Sequence, residues 1–165
     1  MRDIVDIAAV LPQRHPMLLV DKVLDLQPGR FIRTAKCITA TEPCYADLPE
    51  GAQAWRYHYP RPMIIESFGQ SAALLWLSTN HPQPSDGRTL MFVGATDFCF
   101  SGHAGPGDTL HHVVHLDSVI ADTAFVTGET WAGDRQIAVV RNLVATRRQV
   151  NPHTPEQRPA PLPVG

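Results

Sequence analysis

The spacing of apolar residues predicts one long helix near the middle of the chain. From residue 62 to about residue 78 apolar side chains recur at the helical interval, and Pro62 suits the first turn of a helix. The predicted apolar stripe consists of Ile65, Phe68, Ala72, Leu75 and Trp76. Since this segment is apolar nearly all round, we expect other elements to wrap it.

The segments on either side of this helix alternate as strands do. The run "MLLVDKVLDLQPGRFIRTAKCIT" predicts a hairpin that turns at Pro28 and Gly29, and a short helix behind Asp3 precedes it. Residues 46–59 show no period and predict a long loop. Four further strands are predicted, "LMFVGATDFCFS", "TLHHVVHLDSVI", "TAFVTGETWAG" and "QIAVVRNLVATRR". Long antiparallel strands with one central helix predict a sheet curled around that helix.

The length of the chain favours a single domain over residues 1–150. Its 165 residues, 44% of them hydrophobic, are enough to bury one core. The remaining stretch, "NPHTPEQRPAPLPVG", contains five prolines and no period, so residues 151–165 predict an extended or disordered tail.

Charge and cysteine content narrow the setting. The formal net charge is −2 and no block of like charge occurs, which argues against nucleic acid or an anionic membrane as a partner. No apolar run approaches the length that spans a membrane. The odd set Cys37, Cys44 and Cys99 lacks a CxxC pair and favours reduced, buried thiols in a cytoplasmic protein.

No cofactor or metal motif is found in the sequence. The cluster His111, His112 and His115 has no matching Cys or carboxylate, and on a strand its members point to opposite faces. A solvated strand face is the favoured interpretation of these histidines.

Three separated blocks occur in order along the chain, "LPQRHPMLLVDKVLDLQPG", "IIESFGQSAALL" and "FVGATDFCFSGHAGPGDTL". Together they resemble the 3-hydroxyacyl-[acyl-carrier-protein] dehydratases of type II fatty-acid synthesis, and the resemblance runs from about residue 11 to residue 148. It implies an α+β hot-dog fold, in which a curved antiparallel sheet wraps a long central helix. It also implies a homodimer or a trimer of dimers, a substrate held as a thioester on the phosphopantetheine arm of an acyl carrier protein, and chemistry that needs no cofactor.

The resemblance and the chemistry together favour His58 and Glu66 as a catalytic pair. In the family a His of one subunit faces a Glu of the other, and removing water from a 3-hydroxyacyl thioester needs one base and one acid. An N–H at the helix start can polarise the thioester oxygen. Glu66 also has a structural explanation, a hydrogen bond to Gln70 one turn along. We expect the substrate to be bound by Tyr59, Pro60, Arg61, Gln70, Phe98 and Phe100.

This sequence departs from the family's pattern at the family's signature, His-Phe-Pro-Gly. In the family more residues separate His and Glu than the eight positions from His58 to Glu66. Counting forward from "LPQRHPMLLVD" places Leu48 at the signature His, whereas counting backward from Glu66 places Ala52 there. Only the tripeptide 58–60, "HYP", resembles the signature, and Arg61 replaces the small Gly expected before the helix.

Two hypotheses from different classes follow. In the first, His58 and the Glu66 of a partner subunit dehydrate a carrier-bound intermediate of fatty-acid or polyketide-type biosynthesis. In the second, the chain is a degenerate hot-dog subunit that binds an acyl chain or supports an active partner. Thioester hydrolysis is a third possibility, because one fold hosts several chemistries.

Overall fold

The structure, a computed structural model, describes residues 3–79 and 88–149. Helix α1 is Ile4–Val10, and helix α2 is Arg61–Thr79. The described strands are β1 Lys22–Gln27, β2 Phe31–Cys37, β3 Arg88–Phe100, β4 Thr109–Ile120, β5 Thr123–Ala132 and β6 Arg135–Gln149. The predicted leading helix, hairpin, long helix and four later strands are thus confirmed. The predicted tail, residues 151–165, lies outside the described residues.

Local chemistry accounts for the ends of the first elements. The Asp3 carboxylate accepts from the backbone N–H groups of Val5 and Asp6 at 3.0 and 3.3 Å, which satisfies donors that the first turn of α1 leaves unpaired. Gly29, with φ +74°, supplies the left-handed residue in the turn between β1 and β2. The predicted loop before α2, residues 46–59, contains the short 3₁₀ turn Ala54–Tyr57, and a second such turn, Pro43–Tyr45, lies directly before the loop.

The strands form one antiparallel sheet in the order β1-β2-β4-β5-β6-β3. Thr34 pairs with His112 across β2 and β4, and Ala95 pairs with Leu143 across β3 and β6. Helix α2 packs against β2, β4 and β5. One long helix against a six-stranded antiparallel sheet is the arrangement that the hot-dog resemblance implies, so this prediction is confirmed.

The main core lies between α2 and the sheet. Phe68, Leu74 and Leu75 are fully buried and belong to one apolar cluster with residues of β4, β5 and β6. Gly128 of β5 allows Phe68 to approach the sheet closely. A Cβ atom at Gly128 would overlap the Val113 carbonyl oxygen and lie 3.0 Å from Phe68 Cζ.

A second apolar cluster lies beside the N-terminal end of α2. Its buried members include Ile38, Tyr59, Ile64 and Leu110, and the half-buried Leu48 packs against it. This cluster therefore joins the loop before α2 to the first turn of the helix and to β4.

The cysteines are free, but the prediction that they are buried is wrong. Cys37, Cys44 and Cys99 are all exposed. Cys37 lies at the end of β2, on the outward side of the alternating burial pattern, and Cys99 lies between the half-buried Phe98 and Phe100 on the opposite face of β3.

Over residues 3–79 and 88–149, neither helix combines the length with the apolar character that crossing a membrane requires.

Candidate active site

Glu66 lies in the second turn of α2, half-buried, and two glutamine side chains contact its carboxylate. Gln70 Nε2 donates to Glu66 Oε1 at 2.8 Å, as predicted from their spacing, and Gln13 Nε2 lies 3.5 Å from the same oxygen. The carboxylate is therefore fixed on the side of α2 that faces residues 13–19.

Gln70 orients this carboxylate through three hydrogen bonds. Its Oε1 accepts from Leu19 N at 2.8 Å, while its Nε2 donates to Met17 O at 2.7 Å and to Glu66. Only the oxygen can accept from a backbone N–H, so the amide orientation is determined by Leu19. Gln70 is 2% exposed, and its contact with Leu19 N is fully buried. The contact of Gln70 with substrate stays a prediction.

A buried histidine lies behind this part of the helix. His112 Nε2 is 2.8 Å from Ser67 Oγ, and its Nδ1 is 2.9 Å from Thr130 Oγ1. Ser67 Oγ donates to Leu19 O at 2.6 Å, which leaves His112 Nε2 to donate to Ser67 and Nδ1 to accept from Thr130. Burial, and secondarily His111, lowers the pKa of His112 to about 3. His112 is thus neutral at physiological pH and connects α2 to β4 and β5.

The solvated interpretation of the histidine cluster is wrong for His112. The alternation along β4 was used to separate the histidines, but the missed signal is that it places His112 on the same face as the apolar Leu110 and Val114, which is the buried face. By the same alternation His111 and His115 point to the other face.

His58 has a different environment at the other side of the helix start. It follows the 3₁₀ turn Ala54–Tyr57 and is exposed, and its imidazole stacks on that of His103. The ring centroids are 3.8 Å apart and the ring planes differ by 24°. Nothing in the local sequence pattern predicts this contact, because the two histidines are far apart in the chain.

The turn that follows β3 supports the loop that carries His58. Tyr59 N donates to Ala104 O at 2.7 Å. A Cβ atom at Gly105 would lie 2.9 Å from the Tyr57 carbonyl oxygen, so this position requires a residue without a side chain. The backbone on both sides of His58 is thus in direct contact with residues 104–105.

A pocket of about 350 Å³ opens beside the first residues of α2. Its lining residues are His58, Tyr59, Arg61, Ile64, Phe100, Ser101, Gly102 and His103. The Arg61 guanidinium carbon lies 4.9 Å from the centroid of the Phe100 ring. Phe98 stacks on Phe100 at 5.0 Å and meets Phe68 edge-on at 5.7 Å, so a row of aromatic rings leads from the pocket to the core.

The structure brings some of the predicted site residues together and separates others. His58, Tyr59, Arg61 and Phe100 line the pocket, Pro60 connects two of them in the chain, and Phe98 lies directly behind. Glu66 and Gln70 instead contact residues 13–19.

Leu48, the residue that forward counting places at the signature histidine, has apolar surroundings. Leu48 packs against the cluster that contains Tyr59 and Ile64. Tyr59 is 2% exposed, and its hydroxyl has no hydrogen-bond partner among the described residues. Burial, followed by the charge of Glu42, raises the Tyr59 pKa, so the phenol stays neutral.

The chain is similar to curated relatives over nearly its whole length. It is 32% identical over 154 residues to the 3-hydroxyacyl-[acyl-carrier-protein] dehydratase FabZ of Polaromonas naphthalenivorans, an alignment that covers 90% of this chain and 99% of the relative. It is 31% identical to FabZ of Variovorax paradoxus, with 90% and 96% covered. The chain belongs to the FabZ dehydratase family. The family resemblance that was inferred from its three sequence blocks is therefore confirmed.

Solved structures agree with a FabZ-type fold. A chain of the dehydratase heterocomplex ApeI:P from Xenorhabdus doucetiae superposes with a TM-score of 0.68 at 16% identity, covering 88% of this chain and 91% of that one. The PaaI protein of E. coli superposes with a TM-score of 0.56 at 12% identity, covering 76% and 82%. At these identities the likeness shows the fold alone. No family model matches the chain.

Proposed function

We propose that this chain dehydrates a 3-hydroxyacyl thioester carried on an acyl carrier protein. The observation that carries the proposal is Glu66, which is held in place by a buried amide on the central helix of a chain from the FabZ family. A half-buried carboxyl group with a dedicated donor suits an acid that must be oriented toward a leaving hydroxyl.

His58 is the base in this proposal. It removes the proton from C2 of the acyl chain, the electron pair of that C–H bond forms the C2=C3 double bond, and the C3 hydroxyl leaves as water with a proton from Glu66. The start of α2 polarises the thioester oxygen and so stabilises the charge that develops when the C2 proton leaves. Phe98 and Phe100 provide an apolar wall for the acyl chain.

The pair is completed by a second copy of the chain. The pocket beside His58 is not lined by Glu66, whose carboxylate is held toward residues 13–19. We therefore place the His58 of one subunit opposite the Glu66 of its partner, in a homodimer or a trimer of dimers.

A second candidate function is an acyl-binding subunit that supports an active partner. The observation that favours it concerns Leu48, the residue that forward counting places where the family has its signature histidine. Leu48 packs against an apolar cluster. The fold neighbour from a dehydratase heterocomplex supports the idea that hot-dog subunits of this shape act in mixed assemblies.

Mass spectrometry of a 3-hydroxyacyl carrier protein incubated with the purified chain separates these candidates. We expect loss of one water with the wild type and a rate lower by roughly 10²- to 10⁴-fold in His58→Ala and in Glu66→Gln. His115→Ala, which changes an exposed histidine of β4, is the matched control and should keep the wild-type rate.

The other outcomes are equally distinct. Water loss that survives in His58→Ala would assign the base to another residue. If 3-hydroxyacyl carrier proteins of several acyl chain lengths bind but lose no water, the result would support the acyl-binding subunit. Release of the free 3-hydroxy acid would support thioester hydrolysis.

A further inference from the structure

The side chain of His58 takes its direction from the backbone that carries it. Because the residue is exposed, close packing does not confine its imidazole, although the ring does stack on that of His103. The Cα–Cβ bond points where the two peptide planes that meet at the Cα atom place it, and each of these planes is rigid. A group that fixes the planes therefore determines the space that the imidazole can reach.

The peptide plane on the N-terminal side of His58 is held by Tyr45. The Tyr45 hydroxyl donates to the Tyr57 carbonyl oxygen at 3.0 Å. The same oxygen faces Gly105, where a Cβ atom would lie 2.9 Å away, so the carbonyl is confined between a hydroxyl and the turn after β3. That turn holds the plane on the C-terminal side through the hydrogen bond described above. Together these contacts keep His58 at φ −61° and ψ 125°.

Tyr45 can hold this carbonyl because its own ring is fixed by burial. The residue is 7% exposed and belongs to the second apolar cluster. Its ring is tilted by 48° against that of Tyr57, with the ring centroids 5.6 Å apart. Burial also raises the pKa of Tyr45, so the phenol keeps its proton and remains a hydrogen-bond donor.

The 3₁₀ turn that carries Tyr45 is anchored to the sheet by an ion pair. Tyr45 N donates to Glu42 O at 3.0 Å. The Glu42 carboxylate accepts from Lys36 Nζ at 2.6 Å, and these two side chains are only 10% and 7% exposed. A charge-assisted contact between side chains with so little access to water is costly to break. The position of the Tyr45 hydroxyl is therefore determined from β2, which contains Lys36.

We propose that Tyr45 is a positioning residue that holds the imidazole of His58 for proton removal. Tyr45 is not among the described residues that line the pocket, so it acts through the peptide between residues 57 and 58 and not on the substrate. The inference deepens the proposed function and rests on its assignment of His58 as the base.

The variant Tyr45→Phe tests this role because it removes the hydroxyl and keeps the ring. A reacting group that moves by about 1 Å can lower a rate roughly 10²-fold, so we expect kcat for water loss to fall roughly 10- to 100-fold. KM should stay close to the wild-type value, since Tyr45 does not line the pocket. The urea midpoint should fall only slightly, because the buried ring is retained.

Nuclear magnetic resonance of the His58 imidazole tests its position without any reaction. In the full chain with isotope-labelled histidine, the Cε1–H signal of His58 is assigned by its loss in His58→Ala. Stacking on His103 should shift this signal away from that of a free histidine at the same pH. Tyr45→Phe should move the signal toward the free value, because the peptide plane that carries the imidazole is released.

Two further variants make the result specific. Gly105→Ala displaces the Tyr57 carbonyl from its other side and should also move the His58 signal. Thr127→Val, which removes an exposed hydroxyl hydrogen bond of β5, is the matched control and should change neither the signal nor kcat.

The inference is overturned if Tyr45→Phe leaves the His58 signal unchanged or keeps the wild-type kcat. It is also overturned if kcat falls only in proportion to a loss of folded protein, since Tyr45 would then be structural. If the wild type removes no water from its substrate, the proposed function fails. The His58 signal then decides by itself whether Tyr45 positions the imidazole.

Discussion

Glu66 and His58 lie on either side of the start of α2, but different parts of the molecule hold them. Glu66 is on the helix itself, and its main partner is the 2% exposed Gln70, which is tied to the backbone of residues 17 and 19. His58 is exposed on a loop, and its ring rests on His103 of another turn. Substitutions around Glu66 should therefore affect folding and activity together, whereas those around His58 should affect activity more than folding.

The largest expected effect is a loss in the free energy of unfolding when the core on the Glu66 side is disrupted. Phe68→Ala removes a fully buried ring that contacts both Phe98 and His112, and it should lower the free energy of unfolding by about 3–5 kcal/mol. Phe100→Ala, on the His58 side, removes a half-buried ring and should cost less than half as much. Urea denaturation measures both values, and equal losses would contradict the contrast between the two regions.

The second effect concerns the amide that orients Glu66. Gln70→Leu leaves Leu19 N and Met17 O without their partners, and we expect a loss of about 3 kcal/mol in the free energy of unfolding together with a lower kcat. Gln136→Leu changes an exposed glutamine and should stay within about 0.5 kcal/mol of the wild type. A stable Gln70→Leu protein with normal kcat would show that Glu66 does not depend on this contact.

The third effect is a dependence of stability on pH that comes from His112. Its pKa is lowered to about 3 in the folded chain, so the unfolded chain binds more protons below pH about 6.5 and stability falls with falling pH until about pH 3. From pH 7 to pH 5 this contribution amounts to about 2 kcal/mol. Chemical denaturation at several pH values measures it. His112→Gln should remove this contribution and His115→Gln should keep it, and an unchanged slope in His112→Gln would refute the assignment.

The smallest effect tests the contact between the two stacked histidines. His103→Ala should change the free energy of unfolding by less than about 0.5 kcal/mol, because the residue is exposed. It should lower kcat roughly two- to tenfold, in line with the worth of one ring contact. His103→Phe keeps a ring at this place and should restore most of the rate. If alanine and phenylalanine behave alike, His103 does not position His58.

The same contrast explains what the sequence could predict. Elements whose residues follow a regular period, such as α2 and the strands, were predicted with nearly correct bounds, and so was the contact between Glu66 and Gln70, which lie one turn apart. The stacking of His58 on His103 joins two loops that are distant in the chain, and no local period encodes it. The sequence analysis did separate the strand faces of these histidines, but it did not compare the face of His112 with that of the apolar Leu110 and Val114, which would have predicted its burial.

The contact between residues 57–59 and the turn at 104–105 also bears on how this protein can vary. Because Tyr59 N is bonded to Ala104 O and Gly105 lies against Tyr57, the end of the loop is anchored independently of its middle. Insertions or deletions among residues 49–53, which lie between the packed Leu48 and this anchor, can be accommodated without moving His58. Evolution could therefore remodel the length of this loop while preserving its last three residues, and an engineer who wishes to widen the pocket has the same freedom.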